Sequence, residues 1–166
     1  TEQAGSVMGE LLQYVDVLIA NEEDAEKVFG IRAAGSDVTA GKLDHAGYCD
    51  VARQLSTRFD IPYIATTLRK SISASDNEWS AMLYHDGDVH FSKEYKIHIV
   101  NRVGGGDSFA GALIYGMLNG FDDQKTLEFA TAASCLKHSI EQDYNLVSVN
   151  EVLTLMGGDG SGRVVR

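Results

Sequence analysis

Basic side chains are scarce in this sequence. Fourteen Lys and Arg residues stand against 24 Asp and Glu residues, which gives a formal net charge of −10. A nucleic acid or an anionic membrane requires a basic face that neutralises phosphate, so the composition argues against both as partners. It does not exclude a small phosphate compound, because a few backbone amides and one Arg can bind such a group locally.

Cysteines and long apolar runs are also few. Cys49 and Cys135 lie far apart and form no CxxC or Cys/His cluster. Both fall within apolar helical patterns, which favours buried free thiols over a disulfide or a metal site. No apolar run approaches the ~18 residues of a membrane span, and no signal peptide is visible. We therefore expect a cytoplasmic protein.

The chain has enough apolar residues to fold. Its 166 residues fit one ordinary domain, and 44% of them are hydrophobic, so a buried core is expected. The sequence opens at Thr1 rather than at a Met, which fits a fragment or a processed product. Composition leaves those two alternatives open.

The first half of the chain has the pattern of an α/β protein. Two short apolar runs rich in β-branched residues, Val15–Ala20 and Tyr63–Leu68, are typical of buried strands. Each follows a helical pattern, over Ser6–Tyr14 and over Asp44–Phe59. A helix that leads into each strand is typical of a parallel sheet.

The second half changes from extended to helical patterns. Residues 79–92 predict an antiparallel hairpin whose turn is Asp86-Gly87, and a further extended stretch covers Tyr95–Val100. Helical patterns follow, the last opened by the capping box Ser148-Val-Asn-Glu151. The predicted helices are Ser108–Leu118, Gln124–Ser139 and Val149–Met156.

A glycine-rich turn, Gly104–Gly106, joins an extended stretch to a helix with Asp107 in its first turn. Glycines permit positive φ angles and close approach of a ligand, and the helix start offers unpaired N–H groups. Together these features predict an anion site suited to phosphate. It is neither a P-loop, since Ala112 stands where a Lys is required, nor a dinucleotide fingerprint, since Phe109 occupies the position of the third glycine. A tight turn with a capping Asp is the alternative interpretation.

The turn and the small residues of the following helix (Ala110, Gly111, Ala112 and Gly116) resemble the second signature of the ribokinase/PfkB carbohydrate kinases. The resemblance implies an ATP-dependent sugar kinase with Asp107 as the base that deprotonates the sugar hydroxyl. The amides of Gly104, Gly105 and Gly106 would form the anion hole. It also implies a ribokinase-like α/β fold: a parallel-sheet sandwich with helices on both faces and an antiparallel hairpin at its edge.

The same resemblance implies a Mg²⁺ site near Asn21. Asn21-Glu-Glu-Asp24 follows a predicted buried strand and matches the family's Asn-x-x-Glu motif, with Asp in place of Glu. Asn21 and Asp24 would hold Mg²⁺ through water, and Asn21 would also contact the nucleotide phosphates. From the residues alone the segment is an N-capped helix with acids in its first turn, and both interpretations can hold together.

Further nucleotide and substrate contacts are implied by the family. Thr67 and Arg69 end the second strand, where ligands of open α/β sheets gather, and would lie near the phosphates. Thr131 would line the adenine pocket, and Asp143 would contact the substrate. The alternatives are a polar strand exit, an ordinary helical Thr and a turn-forming Asp.

Three segments resemble the bacterial 2-keto-3-deoxygluconate kinases in particular: Thr67-Leu-Arg-Lys-Ser71, Asn77–Ala81 and Arg102–Asp107. The implied reaction is transfer of phosphate from ATP to 2-keto-3-deoxygluconate, which gives its 6-phosphate. The alternatives are another sugar kinase of the family, such as a fructokinase or a ribokinase, and a non-catalytic nucleotide-binding fragment.

Family members are roughly twice as long as this chain. Residues 1–166 would therefore form the nucleotide-binding and catalytic portion of a ribokinase-like domain, without the amino-terminal half that carries the sugar site and the lid. A homodimer of the full-length protein is compatible with the family. The five His residues show no ligand spacing and are interpreted as surface or satisfied histidines.

Overall fold

A computed structural model describes residues 2–21, 28–31 and 45–158. The chain divides into two compact units, the first made of Thr1–Leu68 and Met82–His90 and the second of Arg69–Ala81 and Phe91–Arg166. The described helices are α1 (Glu2–Leu11), α2 (His45–Phe59), α3 (Gly105–Leu118), α4 (Asp123–Lys137) and α5 (Val149–Gly157). The described strands are β1 (Val17–Ala20), β2 (Tyr63–Ser71), β3 (Asp76–His85), β4 (Asp88–Phe91) and β5 (Tyr95–His98).

These strands form a mixed sheet in the order β1-β2-β3-β4, and β5 also pairs with β3. Strands β1 and β2 are parallel, in a register that runs from Val17 opposite Tyr63 to Ala20 opposite Thr66. Strands β3 and β5 are antiparallel. The prediction of an α/β fold that combines parallel strands with an antiparallel hairpin is therefore confirmed.

In the first unit, β1 begins at Val17, two residues later than the apolar run suggested. The amide of Val15 donates to the carbonyl of Leu12 at 3.3 Å and so completes a 3-10 turn over Leu12–Tyr14. The core of this unit includes Ile64 and Ala65 of β2 and Leu55 of α2, which are all buried. The predicted turn also lies here: Asp86 and Gly87 have φ angles of 48° and 104°, as a tight hairpin turn requires.

In the second unit, β2 and β3 extend beyond the predicted boundaries and form an additional hairpin. The amide of Ile72 donates to the carbonyl of Asp76 at 3.0 Å, and Lys70 Nζ donates to Glu78 Oε2 at 2.6 Å across the two strands. Residues 69–71 are exposed. Because neither face of this end of β2 is buried, it carries no alternation of apolar residues for a sequence pattern to detect.

Helix α4 contacts both α3 and α5. Gly116 of α3 permits a close approach to α4, since a Cβ there would lie 3.0 Å from Thr126 Cγ2. Phe109 and Leu113 of α3 and Leu127 of α4 are fully buried. No helix of the described residues is long and apolar enough to cross a membrane.

The predicted capping box opens α5. Ser148 Oγ accepts from the amide of Glu151 at 3.3 Å, and Glu151 Oε2 accepts from the amide of Ser148 at 2.8 Å. We expect Ser148→Ala to lower the free energy of unfolding by about 1 kcal/mol, because one orphan N–H of the helix loses its acceptor. Urea denaturation measures this change. Ser148→Asp keeps an acceptor at the N-cap and should stay close to wild type; equal losses in both variants would contradict the capping role.

Candidate active site

Gly104 shapes the turn that precedes α3. It is the N-cap residue of this helix and has a φ angle of 82°, in the left-handed region that favours glycine. A Cβ on Gly104 would overlap the backbone oxygen of Asp143. A side chain at this position is therefore excluded both by the backbone conformation and by the space available.

Helix α4 supports the turn through its last two turns. Ser134 Oγ donates to the carbonyl of Gly105 at 2.9 Å, and both groups are buried. A Cβ on Gly105 would lie only 2.8 Å from Cε1 of His138. The middle of the turn thus rests directly on the imidazole, which fixes the backbone without any side chain of its own.

The other side of the turn offers free donors. No described residue accepts a hydrogen bond from the amides of Gly106 and Asp107, as expected for the first turn of a helix. Gly106 is exposed, and nothing lies within 4 Å of a Cβ placed on it. With the positive end of the helix dipole beside them, these amides can bind an anionic group that approaches from solvent.

Asp107 lies in the first turn of α3, exposed, and no described residue hydrogen-bonds its carboxylate. It lines a cleft of about 380 Å³ to which Gly104 and Asp143 also contribute. The structure therefore brings together three of the predicted site residues at one cleft.

The rest of the cleft is largely apolar. Tyr115 and Phe129 stack with their ring centroids 5.2 Å apart and form part of its wall. A mostly apolar cleft with a few polar groups at one point is the usual character of a site for a small organic ligand. Its further apolar lining residues are Ala112, Ala133, Val147, Val149 and Val152.

Asn145 holds the segment that forms one wall of this cleft. Its Nδ2 donates to Ser108 Oγ at 2.6 Å and lies 3.4 Å from the carbonyl of Ala133, while its Oδ1 accepts from the amide of Val147 at 3.0 Å. One side chain thus ties the start of α3, the body of α4 and the loop before α5. Sequence reasoning missed Asn145, because a lone Asn in a polar loop carries no signal of such contacts.

His138 is a buried, satisfied histidine, one of the two interpretations that the sequence favoured. Its Nδ1 donates to the carbonyl of Ser134 at 2.7 Å, and its ring packs against Trp79 with centroids 4.7 Å apart. Burial lowers the pKa of His138, and so do the positive charges of Lys137, Arg102 and Arg69. The imidazole beneath the turn is therefore neutral at pH 7, with its proton on Nδ1.

This pKa shift predicts a loss of stability in acid. Because the pKa in the folded state lies below the unfolded value of about 6.5, the unfolded chain binds the proton more readily, and stability falls as the pH drops below that value. We expect the melting temperature to decrease between pH 7 and pH 5. His138→Gln should flatten this decrease, whereas an unchanged slope in that variant would contradict the assignment. NMR titration should show His138 protonating below the unfolded-state value of about 6.5.

The predicted phosphate contacts lie in different units. Asn21 directly follows β1 and Thr67 lies one residue beyond the Ala20–Thr66 pair, so both stand at the carboxyl edge of this parallel pair in the first unit. Arg69 is exposed in the second unit, near enough for its charge to affect His138. Asp24 lies outside the described residues.

Thr131 is fully buried, and its Oγ1 donates to the carbonyl of Leu127 on the same helix at 2.8 Å. It does not line the cleft, whereas Phe129 and Ala133, two residues before and after it on α4, do. The helix is thus the one that the sequence indicated, but a different face of it meets the cleft.

Both cysteines are free thiols, as expected. Cys135 is buried, which raises its pKa to about 12, and Cys49 is half-buried. Among the described residues no group of three or more His, Cys, Asp or Glu side chains could hold a metal ion. A divalent cation in this part of the chain would therefore depend on few protein ligands.

The chain is similar to known proteins in sequence and in structure. The model of the pfkB family carbohydrate kinases matches residues 2–145. The crystal structure of 2-dehydro-3-deoxygluconokinase from Thermotoga maritima has a TM-score of 0.86 and 50% sequence identity, over 94% of this chain and 45% of that one. The 2-dehydro-3-deoxygalactonokinase of Haloferax volcanii is 26% identical over 152 residues, which are 92% of this chain and 41% of that protein.

The described fold is of the ribokinase-like type. The chain belongs to the pfkB family. It spans less than half the length of the two relatives named above. The Arabidopsis thaliana ribokinase, solved with ribose and ATP, shares the fold at a TM-score of 0.60 and 19% identity, over 91% of this chain and 44% of that one.

Proposed function

We propose that this chain carries the phosphoryl-transfer site of a kinase that uses ATP to phosphorylate a keto-deoxy sugar acid. The observation that carries the proposal is the joining of Asp107, the donor amides of α3 and a largely apolar cleft in one place. The 50% identity with a 2-dehydro-3-deoxygluconokinase favours 2-keto-3-deoxygluconate, the same compound, as the acceptor and its 6-phosphate as the product. Fructose and ribose are the alternative acceptors.

In this reaction the Asp107 carboxylate accepts the proton of the acceptor hydroxyl as that oxygen forms its bond to the γ-phosphorus. The bond between this phosphorus and the bridging oxygen to the β-phosphate breaks, and ADP leaves. The amides of Gly104, Gly106 and Asp107 stabilise charge on the phosphoryl oxygens during the transfer, where little other assistance is needed beyond positioning. The Gly105 amide donates to the carbonyl of Arg102 at 3.3 Å and so is the weakest candidate of the three glycine amides.

The apolar cleft suits the adenine ring of the nucleotide. Tyr115, Phe129 and Ala133 offer apolar and aromatic surface for such a ring. The buried position of Thr131 makes its neighbours Phe129 and Ala133 the better candidates for this contact. We propose Asn21, Thr67 and Arg69 as contacts of the phosphates, and Asp143 as a contact of the acceptor.

Mg²⁺ fits this chain through few ligands. Asn21 offers an amide oxygen at the exposed carboxyl edge of β1, and Asp24 would add a carboxylate. Mg²⁺ prefers oxygen ligands and retains several waters, so a site with one or two protein groups suits it. When bound, it would neutralise phosphate charge.

The free thiols suit a reducing compartment, and we place the protein in the cytoplasm.

A coupled assay of ADP formation tests the proposal. The full-length gene product is offered 2-keto-3-deoxygluconate, fructose and ribose at equal concentrations with MgATP, and the 166-residue chain is assayed in parallel. We expect the highest kcat/KM with the sugar acid. If fructose or ribose were the preferred acceptor, the proposed substrate would be wrong. Nucleotide binding without turnover on any acceptor would favour the non-catalytic module, and analytical ultracentrifugation tests the homodimer.

A further inference from the structure

Lys137 is an unusual lysine, because its side chain is completely buried. Lysines are almost never fully buried unless a partner compensates their charge. Here the Nζ atom has one long contact, 3.4 Å from the carbonyl oxygen of Ile140. No carboxylate among the described residues forms an ion pair with it. A buried ammonium with so little compensation is costly for the fold, so its retention requires another reason.

The position of this lysine provides one. Its Cε would lie 3.2 Å from a Cβ placed on Gly104, so the ammonium, one bond further on, lies beneath the glycine turn. Lys137 is in the last turn of α4, where the negative end of the helix dipole partly stabilises a cation. It does not line the cleft. Its charge therefore acts on a ligand of the turn across the backbone of the turn and not by direct contact.

Two further cations, Arg102 and Arg69, act on the histidine that supports the turn. The charges of Lys137, Arg102 and Arg69 all act on the buried His138, whose ring supports Gly105. Behind a turn in which the amides of Gly106 and Asp107 have no acceptor among the described residues, buried positive charge adds to the field that the helix start already supplies.

We propose that Lys137 is a positioning residue for the phosphoryl group: a fixed cation beneath the Gly104–Gly106 turn that strengthens its hold on an anion. This inference rests on the proposed function, since it assumes that the turn binds phosphate. Low effective dielectric beneath the turn makes one buried charge more effective there than one at the surface. The bound anion in turn compensates the ammonium.

Binding of inorganic phosphate and of adenosine to the full-length gene product tests this role. Lys137→Met removes the charge but keeps a similar length, and Lys125→Met is the matched control, because Lys125 is exposed on the same helix. We expect Lys137→Met to weaken phosphate binding about tenfold or more, the effect of losing one charged interaction. Adenosine, which carries no phosphate, should bind as it does to wild type, and Lys125→Met should change neither affinity.

A purely structural lysine would behave differently. Its replacement would weaken the binding of phosphate and of adenosine equally, or leave both affinities unchanged. Either result would overturn the proposal. If Lys137→Met does not fold, the wild-type protein with ¹³C-labelled lysine decides by NMR: the Lys137 Cε resonance should shift on phosphate addition with the same dissociation constant as the Gly106 amide. Absence of that shift would overturn the proposal, whereas failure of the wild type to bind phosphate at all would overturn the anion site itself.

Discussion

Asp107→Asn is expected to lower kcat by a factor of about 10²–10⁴, the range typical of a lost general base. The amide has nearly the same shape as the carboxylate but cannot accept the proton of the acceptor hydroxyl. KM for ATP and for the acceptor should change little, because the cleft and the turn amides are untouched. The measurement is steady-state ADP formation by the full-length gene product with MgATP and 2-keto-3-deoxygluconate.

The structure makes this variant a clean test. Asp107 is exposed and no described residue hydrogen-bonds its carboxylate, so Asp107→Asn should unfold at the wild-type temperature. Asp88→Asn is the matched control, since Asp88 is also exposed but lies at the start of β4 in the other unit. Turnover by Asp107→Asn within a few-fold of the Asp88→Asn rate would refute the assignment of the base.

Asp143→Asn tests whether the two carboxylates of the cleft, Asp107 and Asp143, have different roles. Asp143 lines the same cleft and is proposed to contact the acceptor rather than to take its proton. Its replacement should therefore act chiefly on KM for the acceptor, whereas Asp107→Asn acts on kcat. If the two variants showed the same pattern, the division of roles between them would be wrong.

Gly104→Ala is expected to have the largest effect on folding. An Ala at a φ angle of 82° is strained by roughly 1 kcal/mol, and its Cβ would overlap the backbone oxygen of Asp143. Overpacking against backbone typically costs a further ~1–3 kcal/mol. The free energy of unfolding, measured by urea denaturation, should therefore fall by about 2–4 kcal/mol in total, and phosphate binding should be lost.

Two other glycines of α3 serve as controls for this prediction. Nothing lies within 4 Å of a Cβ on Gly106 or on Gly111, and neither has a positive φ angle. Gly111→Ala should be neutral or more stable by up to ~1 kcal/mol, because Ala is the better helix former. Gly106→Ala should also fold normally. If Gly106→Ala and Gly111→Ala lost as much stability as Gly104→Ala, the strain at Gly104 would not be the cause.

Several features could be predicted from local sequence because their physical cause is local. The turn Asp86-Gly87 requires positive φ angles, and the capping box requires only Ser148 and Glu151 at the right spacing. The anion-binding start of α3 likewise depends on consecutive glycines and on Asp107. Such signals lie within a few residues of one another, so a linear pattern contains them completely.

Other features could not be predicted, because they arise from residues far apart in the chain. The β2 side of the hairpin between β2 and β3, residues 69–71, is exposed and has no apolar alternation to reveal it. The family resemblance predicts that Thr131 lines the adenine pocket, but its side chain is buried and donates a hydrogen bond to the carbonyl of Leu127. Asn145 connects Ser108 to the body of α4, a contact between residues 37 positions apart that no local pattern encodes.

The structure around the glycine turn depends both on local sequence and on residues far away in the chain. The sequence by itself determined that residues 104–107 form a helix start able to bind an anion, because glycine conformation and helix polarity are local properties. Only the tertiary structure decided what lies behind the turn: Ser134, the neutral His138 and the buried ammonium of Lys137. Burial and buried charge depend on which distant segments pack together, so no pattern within residues 104–107 could predict them.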